Sequence, residues 1–176
     1  MVCPTFDDLF SPLINLPCWG VQQGYGSFVT MEFGQPHQVV YDVRTPKTGP
    51  VGNPHRVVAI RGEWHLWIYC CNWRMKYLEE TLATSESSDD VIAIACSRLD
   101  GQLFTGFQSQ PDEGQSQFAF DLGGVLETWP DDDEVLEQWM LYCPDGNVFT
   151  FRSDGQVNFK PGRGEGSGDE TWLAAR

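Results

Sequence analysis

Apolar and polar positions alternate with a period of two along much of the chain, which is the signature of half-buried strands. Ser27–Phe33 is rich in strand formers, Gly34-Gln35-Pro36 breaks it, and His37–Val43 resumes the same chemistry, so the two runs are expected to pair as a hairpin. Residues 45–54 carry three prolines and two glycines, a composition that resists both ladders and helices and predicts a loop. Arg56–Arg61 and Glu63–Cys70 read as two further strands joined near Gly62.

The pattern changes once. Ser87-Ser88 supplies an N-cap hydroxyl and Asp89-Asp90 suits the positive end of a helix dipole; Val91, Ala95 and Leu99 follow at four-residue spacing until Asp100-Gly101 ends the run. This predicts a helix over 88–99, with a buried strand over Val91–Cys96 as the competing assignment. Strand patterning returns at Leu103–Phe107, Ser116–Leu122, Val125–Trp129 and Glu137–Cys143. Two Asp-Gly turns, Asp145-Gly146 and Asp154-Gly155, then frame Val148–Phe151 and Val157–Phe159 as a β-meander. The fold class expected is α+β, mainly antiparallel sheet with one principal helix.

Val29–Gly34 and Phe118–Gly123 share an order of apolar, small, apolar, acid, apolar and glycine, and Trp64–Trp67 reads like Trp139–Tyr142. These matches suggest two related β-hairpin halves, 13–86 and 100–159, with the 88–99 helix as connector, inside one β-rich domain spanning 1–159. Residues 160–176 are Pro, Gly, Arg, Ser and acid and read as a flexible tail in which only Trp172 and Leu173 have the means to dock.

Charge narrows the function. Across 176 residues, 11 Lys and Arg face 25 Asp and Glu, a formal charge of −14, which opposes direct binding to nucleic acid phosphates or to an anionic bilayer. No apolar run approaches the roughly 20 residues of a membrane-spanning helix, and the first residues are acidic where a secretory signal is basic, so a cytoplasmic location is expected. In that setting the six cysteines read as reduced, mostly buried thiols.

The Gly24–Phe28 entry, the Gly62–Trp67 segment, the Leu99–Gln102 helix exit and the hairpin from Trp139–Tyr142 to Asp145-Gly146 together resemble uncharacterised bacterial proteins of the toxin-immunity or domain-of-unknown-function kind. The resemblance covers roughly residues 13–159 and contains no catalytic motif. It implies a small acidic protein that binds another protein, and it transfers no functional residue.

Two constellations stand out. Glu63, His65, Trp67 and Tyr69 alternate along one strand and so share a face, where an acid, an imidazole and aromatic rings have the means to orient a base or grip a ligand. The plainer reading is a second aromatic layer, with His65 bonded to Glu63 or to backbone. Asp131, Asp132, Asp133 and Glu134, with Glu127 and Glu137 nearby, form a dense acidic run, and Trp129 or Trp73 beside it would serve as an apolar anchor for a basic partner. Its plainer reading is a solvated loop that keeps the protein soluble. Neither metal-ligand spacing, a nucleophile elbow nor a phosphate-cradling loop occurs, so no metal, cofactor or catalytic residue is expected. The function expected is a non-enzymatic inhibitor of immunity type that masks a basic partner such as a toxin or nuclease. A small-ligand or hydrolytic site on the Glu63/His65/Trp67/Tyr69 face and a structural subunit of an oligomer are the alternatives.

Overall fold

The computed structural model describes residues 3–43, 55–131, 134–162 and 171–175. The protein is dominated by antiparallel sheet, as the alternating text requires. The strands are β1 (Cys18–Gln23), β2 (Val29–Phe33), β3 (His37–Val43), β4 (His55–Arg61), β5 (Trp64–Ile68), β6 (Asn72–Tyr77), β7 (Glu80–Thr84), β8 (Phe104–Gln110), β9 (Gln115–Phe120), β10 (Gly124–Trp129), β11 (Glu137–Tyr142), β12 (Asn147–Arg152), β13 (Gln156–Pro161) and β14 (Leu173–Ala174). The helices are α1 (Phe6–Phe10) and α2 (Asp89–Leu99). Seven strands form one sheet in the order β1-β2-β5-β11-β12-β13-β14, five form a second in the order β7-β6-β10-β9-β8, and among the described residues β3 and β4 pair only with each other.

Inner faces of the two large sheets meet in one aromatic core. Trp139 of the first lies 5.8 Å from Phe118 of the second, and Phe33 lies 5.8 Å from Phe104. Trp73, Trp139, Phe33, Phe104, Phe118, Phe149 and Phe151 are all fully buried. Burying such rings is the largest favourable term available to a chain of this size. The helices close the flanks: α2 lies against β1 and β7, and α1 drives Phe6 and Phe10 among Phe107, Trp139, Phe149 and Phe151. Thr5 caps α1 by accepting from the Asp8 amide while the Asp8 carboxylate accepts from the Thr5 amide.

The order of strands repeats. A helix, three antiparallel strands and a hairpin-forming pair occur first as α1-β1-β2-β5-β6-β7 and again as α2-β8-β9-β10-β11-β12. In each round the first three strands join one sheet and the next two cross to the other. The rounds meet at Pro17 and Leu103, which bridge one another. The Cys18 amide donates to the Gln102 carbonyl at 2.9 Å, and the Phe104 amide donates to the Leu16 carbonyl at 2.9 Å. Asn15 and Gly101 hold equivalent positions just before this crossing, with φ of +68° and +87°. Only residues that tolerate the left-handed region turn the chain there without strain.

Several local expectations change. Ser27–Phe33 does not pair with His37–Val43: β2 lies between β1 and β5, and β3 turns away to pair with β4. Trp64–Trp67 and Trp139–Tyr142 are not equivalent positions but neighbours in one sheet, with Trp67 opposite Met140. Strand order instead equates β6 with β11, so Trp73 corresponds to Trp139. The strands containing Val29–Gly34 and Phe118–Gly123 do correspond, but Met31 faces Leu66 where Phe118 faces Leu126, which shifts the alignment by two residues. Helix α2 heads the second round instead of linking two halves. Its N-cap Ser88 makes no side-chain bond; Ser87 Oγ accepts from the Thr84 amide, and the buried face is Ile92, Ala95, Cys96 and Leu99, leaving Val91 outside. At the chain end Trp172 stacks on Arg152 at 4.2 Å and Leu173 pairs with Val157.

A Cβ added at Gly101 meets nothing within 4 Å, so Gly101→Ala isolates the backbone cost of the positive φ at the crossing. Urea unfolding is expected to show a loss of about 1 kcal/mol.

Candidate functional site

The candidate site lies on the outer face of β5. Leu66 and Ile68 point into the core, which leaves His65 and Trp67, and Tyr69 just beyond the strand, half-buried on the opposite side. Cross-strand neighbours extend this face in rows: Thr30, Trp67 and Met140 in one, Glu32, His65 and Tyr142 in the next.

Glu32 is the residue that the sequence reading missed. Its carboxylate is buried, and Oε1 accepts both from His65 Nδ1 at 2.8 Å and from the Arg61 guanidinium at 2.8 Å; Oε2 accepts from the Gly62 amide at 3.0 Å. Burial alone would raise its pKa, but the bonds from His65, Gly62 and Arg61 more than offset this and hold it below the ordinary 4.5. An acid at an inward or outward position looks the same in sequence; its partners come from other strands, and only register reveals them. A carboxylate holding Nδ1 of an imidazole is half of a general-base relay. Here the same oxygen is also held by Arg61, so the group acts as a fastener between β2, β5 and the β4–β5 corner. Glu63, expected beside His65, lies off this face: its Oε2 accepts from the Gln35 amide at 3.0 Å and packs over Gly34, where an added Cβ would overlap it.

Past Trp67 the face becomes an aromatic platform. Phe28 lies 4.6 Å from Tyr69, Trp67 lies 4.9 Å from Tyr69, and Tyr25, 90% exposed, stands 6.5 Å beyond Phe28. The loop that carries Phe28 is held by Trp73 Nε1, which donates to the Ser27 carbonyl at 2.6 Å. Trp73 is therefore a core residue and not a surface anchor.

The platform borders the acidic connection between β10 and β11. Backbone amides of Tyr69 and Cys70 donate to the carbonyls of Gln138 and Glu137, and Asn72 Nδ2 donates to Asp131 at 2.9 Å. The same neighbourhood shows in the titrating groups. Cys70 is raised chiefly by burial and further by Glu137 and Asp131, and Tyr69 is raised first by Cys70, with Glu137 contributing. Two regions that the sequence presents as unrelated, Trp67/Tyr69 and Asp131/Glu137, thus form one surface. Glu134 is exposed near Ser153, to whose hydroxyl its carbonyl is bonded; Asp132 and Asp133 lie outside the described residues.

Trp129 pairs directly with Asn72, the residue whose side chain holds Asp131. It projects from the outer face of the five-stranded sheet, 5.8 Å from the Arg74 guanidinium, beside an open concavity of about 490 Å³ also lined by Gln108, Gln117 and Glu127. The carboxylate of Glu127 accepts from Arg74 at 2.7 Å and Lys76 at 3.3 Å, which compensates the burial that would raise its pKa and leaves it lowered.

The thiols are poor candidates for nucleophilic chemistry. The six cysteines are thiols, not disulfides, and burial pushes Cys18 and Cys143 up to about 12 and Cys96 up to about 11, with Cys71 raised as well. Thiols so displaced are protonated at neutral pH. Among the described residues, no three His, Cys, Asp or Glu side chains converge to hold a metal ion. Compared with known proteins, the chain matches no family model, no curated protein and no solved structure.

Replacing the Glu32 carboxylate leaves Arg61 and His65 without their shared acceptor. Glu32→Gln is expected to cost about 3 kcal/mol in denaturant unfolding. Because folding lowers the pKa of Glu32, its contribution is complete above 4.5 and is lost as the pH falls through the folded value. Unfolding measured from pH 7 down to pH 3 is expected to show this loss in the wild type, and the difference from Glu32→Gln to shrink along with it.

Proposed function

We propose that the chain is a non-enzymatic binding protein that captures and masks a cationic polypeptide partner, of the kind a basic toxin or nuclease presents, in the manner of an immunity protein of the bacterial cytosol. The observation that carries this reading is the aromatic platform of Phe28, Trp67 and Tyr69, whose chain is bonded through the Tyr69 and Cys70 amides to Gln138 and Glu137 and through Asn72 to Asp131. Aromatic faces attract ammonium and guanidinium groups, and adjacent carboxylates add charge attraction. Large rings that are partly exposed are also where binding energy concentrates in protein interfaces. The overall charge of −14 supplies long-range steering toward such a partner. No helix among the described residues is long and apolar enough to cross a membrane.

In this reading the acidic run serves as the rim and the aromatic residues as the centre. Asp131 and Glu137 border the seat and guide approach, while Glu134 stands by Ser153. Trp129, on the five-stranded sheet, stands opposite Asn72, which holds Asp131.

The test uses a fluorescently labelled peptide of alternating lysine, arginine and small residues, titrated with the protein and followed by anisotropy. Trp67→Ala/Tyr69→Ala is expected to weaken binding about tenfold or more, equivalent to about 1.4 kcal/mol. Glu79→Gln/Glu80→Gln, which removes two carboxylates at a distance from the platform and leaves its rings in place, is expected to change affinity by no more than about twofold. Equal weakening by both pairs, or the absence of saturable binding, would overturn the reading.

A further inference from the structure

The outer face of the five-stranded sheet is grooved. Strand register places Arg74, Glu127, Gln117 and Gln108 abreast, one from each of β6, β10, β9 and β8. Two residues further along the strands, Trp129 on β10 and the directly paired Gln115 and Gln110 form a second row. Between the rows, side chains turn inward: Trp139 Nε1 donates to Ser116 Oγ at 3.0 Å, and Thr128 is buried. Only backbone faces outward there, so it is the floor of the concavity of about 490 Å³ and the two rows are its walls. With strands about 4.8 Å apart and residues rising about 3.4 Å, the groove crosses four strands over roughly 14 Å, and its walls stand on rows roughly 7 Å apart.

The walls decide what fits. Among the described residues that line the groove, only Arg74 and Glu127 are charged, and they are bonded to each other at 2.7 Å. The lining therefore carries no net charge in a chain of −14, and it offers no unpaired ion to a charged ligand. The rest of the walls is four glutamine amides and one indole; Gln108, Gln110 and Gln115 are exposed, and Gln117 and Trp129 half-buried. A glutamine amide presents a donor and an acceptor side by side, which suits a hydroxyl group, itself both donor and acceptor. The indole adds an apolar surface at one end of its row. An extended peptide is poorly served here, because the backbone groups of the floor are spent in the sheet ladder and the groove runs across the strands, where no strand is added. A chain of pyranose rings matches each feature: hydroxyls along both edges for the amides, an apolar C–H face for the indole, and no charge.

We propose that this groove binds an unbranched, uncharged oligosaccharide, laid across β6, β10, β9 and β8 with its hydroxyl edges against the glutamine walls and one ring against Trp129. The Arg74–Glu127 pair, held further by Lys76 at 3.3 Å from the carboxylate, supplies a donor and an acceptor of fixed direction. The site is independent of cation capture at the aromatic platform.

Isothermal titration calorimetry of the full chain with cellohexaose, xylohexaose, mannohexaose and maltohexaose tests the assignment. At least one is expected to bind saturably with a Kd below about 1 mM, and to keep that affinity within about twofold between low and high salt. Gln108→Ala/Gln117→Ala and, separately, Trp129→Ala are each expected to weaken binding about tenfold or more. The two glutamines lie on the outer face, so the first variant leaves the core intact, which circular dichroism verifies. The corresponding monosaccharide is expected to bind at least about tenfold more weakly than the hexasaccharide, because it spans a single strand interval. No saturable binding of any of the four sugars, or an affinity unmoved by the glutamine pair or by a folded Trp129→Ala, overturns the proposal. So does displacement of the sugar by the basic peptide, or glutamine-dependent binding of an uncharged alanine–serine peptide in place of the sugars. Sugar binding without saturable binding of the basic peptide counts against cation capture alone.

Discussion

Two seams hold the protein together: Leu66 facing Leu141 across β5 and β11, and Met75 facing Leu126 across β6 and β10. Every other strand of the two large sheets reaches the core through a sheet that one of these seams completes. Because each seam joins the third strand of one round to the fourth strand of the other, neither round has a finished sheet of its own. The aromatic core then forms only when both seams are closed, which makes the long-range pairings and the burial of Trp73 and Trp139 parts of a single cooperative event.

The seams also explain where the functional surface lies. At the margin where β5 crosses to β6, the chain leaves one sheet for the other, and β10 crosses to β11 in the opposite direction beside it. The two connections are stapled by backbone bonds from Tyr69 and Cys70 to Gln138 and Glu137. Rings from the first connection and carboxylates from the second are neighbours for that reason. Core burial of Trp73 fixes Ser27, and through it the loop that presents Phe28, so the rigidity of the platform derives from the same packing that stabilises the fold.

Local text showed most of the strands and helix α2, because period-two alternation, Asp-Gly turns and an acidic helix start each depend on near neighbours, but it left α1, β1, β6 and β7 unread. Partners were legible only where turns are short, as from β11 through β13. Pro36 and the long Pro/Gly segment after Val43 hid the fact that β3 and β4 pair with each other and leave β2 to β5. The same limit applies to the site. Alternation placed His65, Trp67 and Tyr69 on one face, but Glu32, 33 residues away from His65 in sequence, is brought to the imidazole by strand register, and Glu63 is drawn off the face by the corner at Gly62.

Where the second round turns from β9 to β10 through Leu122-Gly123, the first round departs from Phe33 and returns at Trp64, two residues that pair directly. The β3–β4 ribbon is thus an extension grafted onto an ordinary hairpin corner. Excising it and closing Phe33 to Trp64 with a tight turn would leave both seams in place but take Arg61 and Gly62 away from the buried Glu32, so this extension is soldered to the scaffold through a single carboxylate.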